Sequence, residues 1–120
     1  MRTKIAFAGV AIAVAALAPG ALSQARPATQ VKKTVRIGDN FFAPSSLKVR
    51  RNTKLTWRWP SNPGDVHDVY LLRGPRGVRK FHSETAATAY SFSRTLKKPG
   101  LYRIICTIHE RMRMTVRVRR

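Results

Sequence analysis

Cys106, His109 and Met112 follow one another at three-residue intervals near the C-terminal end of the chain. Cys106 is the only cysteine, so no internal disulfide can form. A thiolate, an imidazole and a thioether on one tight loop are donors for a mononuclear copper site with two histidines, one cysteine and a weak axial methionine. The loop supplies one histidine, and His67 is the candidate for the second. Each residue alone carries a blander reading. A single histidine usually packs or faces solvent, a methionine usually fills a core gap, and a buried inert thiol explains a lone cysteine equally well. A thiol in an oxidising compartment reacts unless it is buried or occupied, which copper coordination would satisfy. No nucleophile–base pair and no carboxylate pair accompanies these residues, so an enzyme is not expected.

The segments around the loop must position it. Tyr102, Ile104 and Cys106 alternate on one face of a strand, which points Cys106 inward at the strand's last position. A turn of three residues can return His109 to the same point, and Met112 follows before a last strand at Thr115–Arg119. His67 opens a strand expected over Val66–Leu72, closing the set from the opposite sheet. The clearest period-2 pattern is Leu55, Trp57 and Trp59 against Lys54, Thr56 and Arg58. Shorter strands are expected around Val35–Ile37, Leu47–Val49 and Tyr90–Leu96, with turns at Gly38–Asn40, Arg51–Asn52, Pro60–Asp65 and Lys97–Gly100. Thr85–Ala89 reads as irregular, or at most one helical turn. Seven or eight short strands with no amphipathic helix indicate an all-β Greek-key sandwich.

The chain of 120 residues is read as one domain behind a leader. Arg2 and Lys4 precede an Ala-rich apolar run from Ile5 to Leu17, Pro19–Gly20 breaks it, and Ser23 and Ala25 suit cleavage. The expected division is a signal peptide over 1–25, a flexible lead-in over 26–32 and a folded domain over 33–120. The exported product would be periplasmic, secreted or bound to the cell envelope, with no membrane span and no sign of an oligomer. Twenty-four basic residues against five acidic ones give a formal charge of +19. That surface favours anionic partners: an acidic redox protein, an anionic envelope polymer or a lipid surface. Nucleic acid is not expected, because the basic residues are spread along the chain instead of clustering with aromatics.

The words Lys98-Pro99-Gly100-Leu101-Tyr102-Arg103-Ile104-Ile105-Cys106-Thr107-Ile108-His109, then Met112, then Thr115-Val116-Arg117-Val118, together with Val66-His67-Asp68-Val69, resemble the cupredoxins. These are small blue-copper proteins of the plastocyanin and amicyanin group, and the likeness covers roughly residues 33 to 120. It implies a single-electron carrier holding one copper, cycling between Cu(I) and Cu(II), on His67, Cys106, His109 and Met112. His109 would be the solvent-facing ligand and the electron exit. Met114 is the alternative axial ligand, at the spacing of a longer family loop. Met112 is preferred because Val116 and Val118 then fall where the family places its apolar residues, with Met114 replacing a family glycine. Tyr102 resembles a tyrosine-corner residue. His82 is read as a surface residue, and Asp68 as a solvated strand residue in preference to a partner of an imidazole. Glu110, Arg111 and Arg113 would make a charged rim where the family usually has apolar residues. Two other readings stay open: a copper-delivery protein using the same ligands, and a basic module for anionic polymers.

Overall fold

The computed structural model describes residues 5–17, 20, 26 and 29–120. Pro19 and the cleavage residues Ser23 and Ala25 lie outside the described residues. Eight strands follow in chain order: β1 Lys32–Gly38, β2 Phe41–Ala43, β3 Ser46–Arg50, β4 Thr53–Arg58, β5 Tyr70–Arg73, β6 Ser91–Leu96, β7 Gly100–Ile105 and β8 Arg113–Arg119. They form two four-stranded sheets, ordered β2-β1-β4-β6 and β3-β8-β7-β5. β1 runs parallel to β4 and β3 parallel to β8, while the other pairings are antiparallel. The all-β sandwich read from the alternation is the observed architecture, and no helix occurs among the described residues.

Alternation explains the core. Leu55, Trp57 and Trp59 are buried from β4 and the residue after it, and Met114, Val116 and Val118 are buried from β8. Burying a leucine-sized side chain is worth roughly 1.5–3 kcal/mol, so these rows hold the sheets together. Trp57 reaches across the interface, and its indole Nε1–H donates to the Met114 sulfur at 3.3 Å. Its ring also packs against Phe81 and Phe92 at 5.9 Å. Tyr102, buried in β7, donates its hydroxyl to the Lys98 carbonyl at 2.7 Å. The tyrosine corner expected there is therefore present.

The fold places the loops at two poles. β7 runs from the turn at Gly100 towards Cys106, and β8 returns from Arg113. One pole collects the β1–β2 turn at Asp39–Asn40, the segment before β5 and the β7–β8 loop. The other collects the start of β1, the β3–β4 turn and the β6–β7 turn, as the register shows: Lys32 faces Lys54, Thr53 faces Leu96, and Gly100 faces Val118.

Two expectations change. The strand expected over Val66–Leu72 begins only at Tyr70; His67 instead makes an isolated bridge with Ala86. His67 also does not come from the opposite sheet. It leads into β5, which belongs with β7 and β8. Period-2 alternation shows which face a residue takes but not which strands are neighbours, and sheet membership was therefore open until the topology closed.

Candidate metal centre

Three elements converge at one pole. β7 ends at Ile105 and delivers Cys106, which is 2 % exposed. The loop then closes on itself, with Met112 N–H donating to the His109 carbonyl and Cys106 N–H donating to the Met112 carbonyl, both at 3.0 Å. His67 is pinned from the next segment by a reciprocal backbone pair with Ala86, at 2.9 and 3.0 Å. Met112 is buried at the loop's end.

The donor atoms meet. His67 Nδ1 lies 3.2 Å from His109 Nδ1, and the Cys106 sulfur lies 3.7 Å from His109 Nδ1. One ligand atom from each of these residues falls within a sphere of contact no wider than 4.8 Å. Bonds of about 2.0–2.3 Å to a shared ion would set trigonal donors roughly 3.5 Å apart, so these spacings suit a single metal. A soft thiolate with two imidazoles is a donor set for copper. The His67 side chain is 2 % exposed and that of His109 is 24 % exposed. One imidazole is enclosed, and the other opens to solvent.

The opposite sheet contributes a residue that the sequence reading did not single out. Asp39, in the β1–β2 turn, has its Oδ1 3.3 Å from His67 Nε2, and the same oxygen accepts the Asp65 backbone N–H at 3.1 Å. With a proton on Nε2 donated to Asp39, the Nδ1 lone pair of His67 faces Cys106 and His109. The Asp65 amide, followed by the His67 imidazole, holds the Asp39 carboxyl below its ordinary value. Asp65 in turn places a carboxylate oxygen 3.9 Å from His109 Nε2. Asn40, next to Asp39, has φ 68°, a left-handed turn conformation that asparagine tolerates. Asp-Asn after an alternating strand marks the turn. Its pairing with a histidine 28 residues away is a tertiary event.

Asp68 is a further correction. It is buried, not solvated, and the imidazole it holds is that of His82, not His67. Its carboxylate accepts the Thr107 N–H at 2.7 Å, the Thr107 hydroxyl, and His82 Nε2–H at 2.7 Å. Burial would raise this carboxyl, but the hydrogen bonds from Thr107 and His82 outweigh it and hold the value below the ordinary one. The chain just after Cys106 is thereby tied to the chain just after His67. His82 lies on the surface as expected, its side chain half exposed.

The two methionines differ in setting. Met114 faces the sheet interior and accepts the Trp57 indole N–H, whereas Met112 belongs to the closed loop. The rim is also less uniformly charged than the sequence implies. Ile108 and Val66, beside His109 and His67, are 44 % and 45 % exposed.

Comparison with known proteins agrees with this geometry. No family model matches the chain. Amicyanin-alpha of Methylorubrum extorquens is 27 % identical over 101 residues, covering 84 % of this chain and 83 % of that protein. The reduced form of one amicyanin point mutant superposes with a TM-score of 0.63 at 23 % identity, over 75 % of this chain and 82 % of its own. A second reduced amicyanin mutant gives 0.65 at 22 % identity, over 76 % and 85 %. This is the cupredoxin fold. A copper-containing nitrite reductase from Thermus scotoductus also superposes, with a TM-score of 0.63 at 24 % identity. That match covers 77 % of this chain but only 23 % of the reductase, so the cupredoxin unit corresponds to one part of a larger protein.

Proposed function

We propose that this chain is an exported copper protein that carries single electrons. The observation that carries the reading is the convergence of His67 Nδ1, His109 Nδ1 and the Cys106 sulfur at one closed loop. Copper, one ion per chain, would supply the one-electron chemistry between Cu(I) and Cu(II). His67 and His109 would bind as neutral imidazoles, and Cys106 as a thiolate. Met112 would be the fourth donor in preference to Met114, a choice supported by the engagement of Met114 with Trp57.

The chain's own residues account for the rest. The Asp39 contact and the Ala86 backbone pair keep His67 still, and Asp68 anchors the residue after Cys106. A site that does not rearrange when its charge changes has little to reorganise at each electron transfer. His109, the partly exposed ligand, is the exit to a partner. That partner would meet a mixed rim, with an acidic surface opposite Arg111 and Arg113 giving salt-sensitive docking. With two imidazoles, a thiolate and a thioether filling the shell, no position is left for a substrate, so the reading is a carrier and not an enzyme. The Ala-rich run after Arg2 and Lys4 supports export.

The test is the visible spectrum after adding one equivalent of Cu(II). The expected result is an intense blue thiolate-to-copper band that disappears in Cys106→Ser, persists in Met114→Leu and shifts in Met112→Leu. Absence of that band, with Cu(I) retained instead, would overturn the electron-carrier reading in favour of copper delivery.

A further inference from the structure

The acidic side chains of this molecule are confined to one half. All five acidic residues lie in the metal-site half: Asp39 in the β1–β2 turn, Asp65 and Asp68 flanking His67, Glu110 after His109, and Glu84 in the segment paired with His67 through Ala86. The far pole holds none of them. Lys32 and Lys33 open β1 there, Arg50 and Arg51 form the β3–β4 turn, Lys97 and Lys98 form the β6–β7 turn, and Arg119 pairs with Arg50. All of these are exposed. The sequence alone shows basic residues spread along the chain; the fold brings these seven to a pole that holds none of the acidic side chains.

The same pole carries a groove of about 520 Å³ between the 77–81 segment and the β6–β7 turn. Its rim is Arg79, Lys80, Arg94, Lys97 and Lys98, and its floor is Phe81, Leu96 and Tyr102, each less than a tenth exposed. An apolar floor inside a cationic rim fits a ligand that is anionic at its head and apolar behind it. The chain before β1 joins the domain at this pole, since the Val31 carbonyl accepts the Lys54 N–H at 2.8 Å.

We infer that the far pole is a docking surface for an anionic phospholipid bilayer, which would hold the molecule with His109 facing away from the membrane. The apolar groove floor favours a lipid over a hydrophilic polyanion, and the confinement of the carboxylates to the other half gives the orientation. The inference rests on surface charge and the groove, and it stands whether or not the metal reading holds.

The test is co-sedimentation of the full chain with vesicles of phosphatidylglycerol in phosphatidylcholine, and with pure phosphatidylcholine, across a salt series. Three variants share the same N-terminal segment: the wild type, Arg79→Glu/Lys97→Glu/Lys98→Glu at the far pole, and Arg36→Glu/Arg58→Glu/Arg111→Glu in the metal-site half. All six side chains are exposed, and thermal midpoints check that each variant folds. The expected result is salt-sensitive binding to the anionic vesicles only. The far-pole variant should bind about a hundredfold more weakly, roughly fivefold per cation removed, and the other variant within a few-fold of the wild type. Equal binding to both vesicle types would overturn the inference, as would equal losses in the two variants, which would mean that net charge alone acts. Binding to dextran sulfate with the same far-pole dependence, but not to vesicles, would assign the surface to a polyanion and overturn the lipid.

Discussion

Two carboxylates do different work within a few ångströms of the same loop. Asp39 lies 3.3 Å from His67 Nε2, on the other side of the ring from the Nδ1 that the proposed copper would use. Contacts of this kind commonly cost 10- to 100-fold in metal affinity when removed. Asp39→Ala should therefore weaken copper affinity by about 10- to 100-fold in a competition titration with a chelator. Because Asp39 is exposed, the thermal midpoint of the metal-free protein should barely move. Asp68 acts on the chain instead. Its replacement by alanine removes the hydrogen bonds that its buried carboxylate accepts from the Thr107 hydroxyl and N–H, at a cost of about 1.5–3 kcal/mol in denaturant unfolding of the metal-free protein. Asp68→Asn keeps an acceptor for that N–H and should recover most of the loss. Equal losses in the two variants would show that the negative charge matters and the hydrogen bond does not.

At the scale of the element, the β6–β7 turn and the start of β7 fasten the pole opposite the metal site. Gly100 there has φ 136°, and a Cβ on it would come 2.7 Å from Pro75, so the turn accepts little else. Tyr102 follows and ties its hydroxyl to the carbonyl of Lys98. Burial raises the Tyr102 phenol above its ordinary value. A group whose value is raised by folding contributes stability that is complete below the unfolded value, near 10, and is lost as pH rises through the folded value. Unfolding of the wild type should therefore become easier above pH ~10. Tyr102→Phe should remove that part of the alkaline loss while costing about 1 kcal/mol at neutral pH. A Phe variant with the same alkaline slope as the wild type would assign the loss to lysines.

The whole molecule is a small sandwich carrying a large excess of positive charge, and repulsion among those charges works against the compact state. A ligand that binds only the folded form adds stability by mass action, about 2.7 kcal/mol at a hundred times its dissociation constant. Copper loading should therefore raise the thermal midpoint, by several degrees for a domain of this size. Removal of the metal with a chelator should reverse the shift, and Cys106→Ser should show none. Added salt should raise the midpoint of the metal-free protein by screening the repulsion. A midpoint independent of salt would mean that the charges are too far apart to matter.

The amino-acid sequence by itself determined the class of fold and picked out the Cys106 and His109 side chains that converge. Period-2 alternation in β4, β7 and β8 is a local property that dictates which side chains turn inward, and Cys106, His109 and Met112 lie close enough in the chain for one loop to gather them. The need for a second histidine pointed to His67, and the Val66-His67-Asp68-Val69 words added a resemblance to known proteins. The tertiary structure decided what depends on residues far apart in sequence. Strand order put His67 on the same sheet as Cys106 and His109. The β1–β2 turn brought Asp39 against His67, and the buried Asp68 found Thr107 and His82. Only the closed register showed that Lys32, Lys33, Arg50, Arg51, Lys97 and Lys98, scattered through the chain, share one pole while every carboxylate side chain sits in the other half. Alternation and spacing act over a few residues; strand pairing acts across the whole chain, and that is where these contacts were settled.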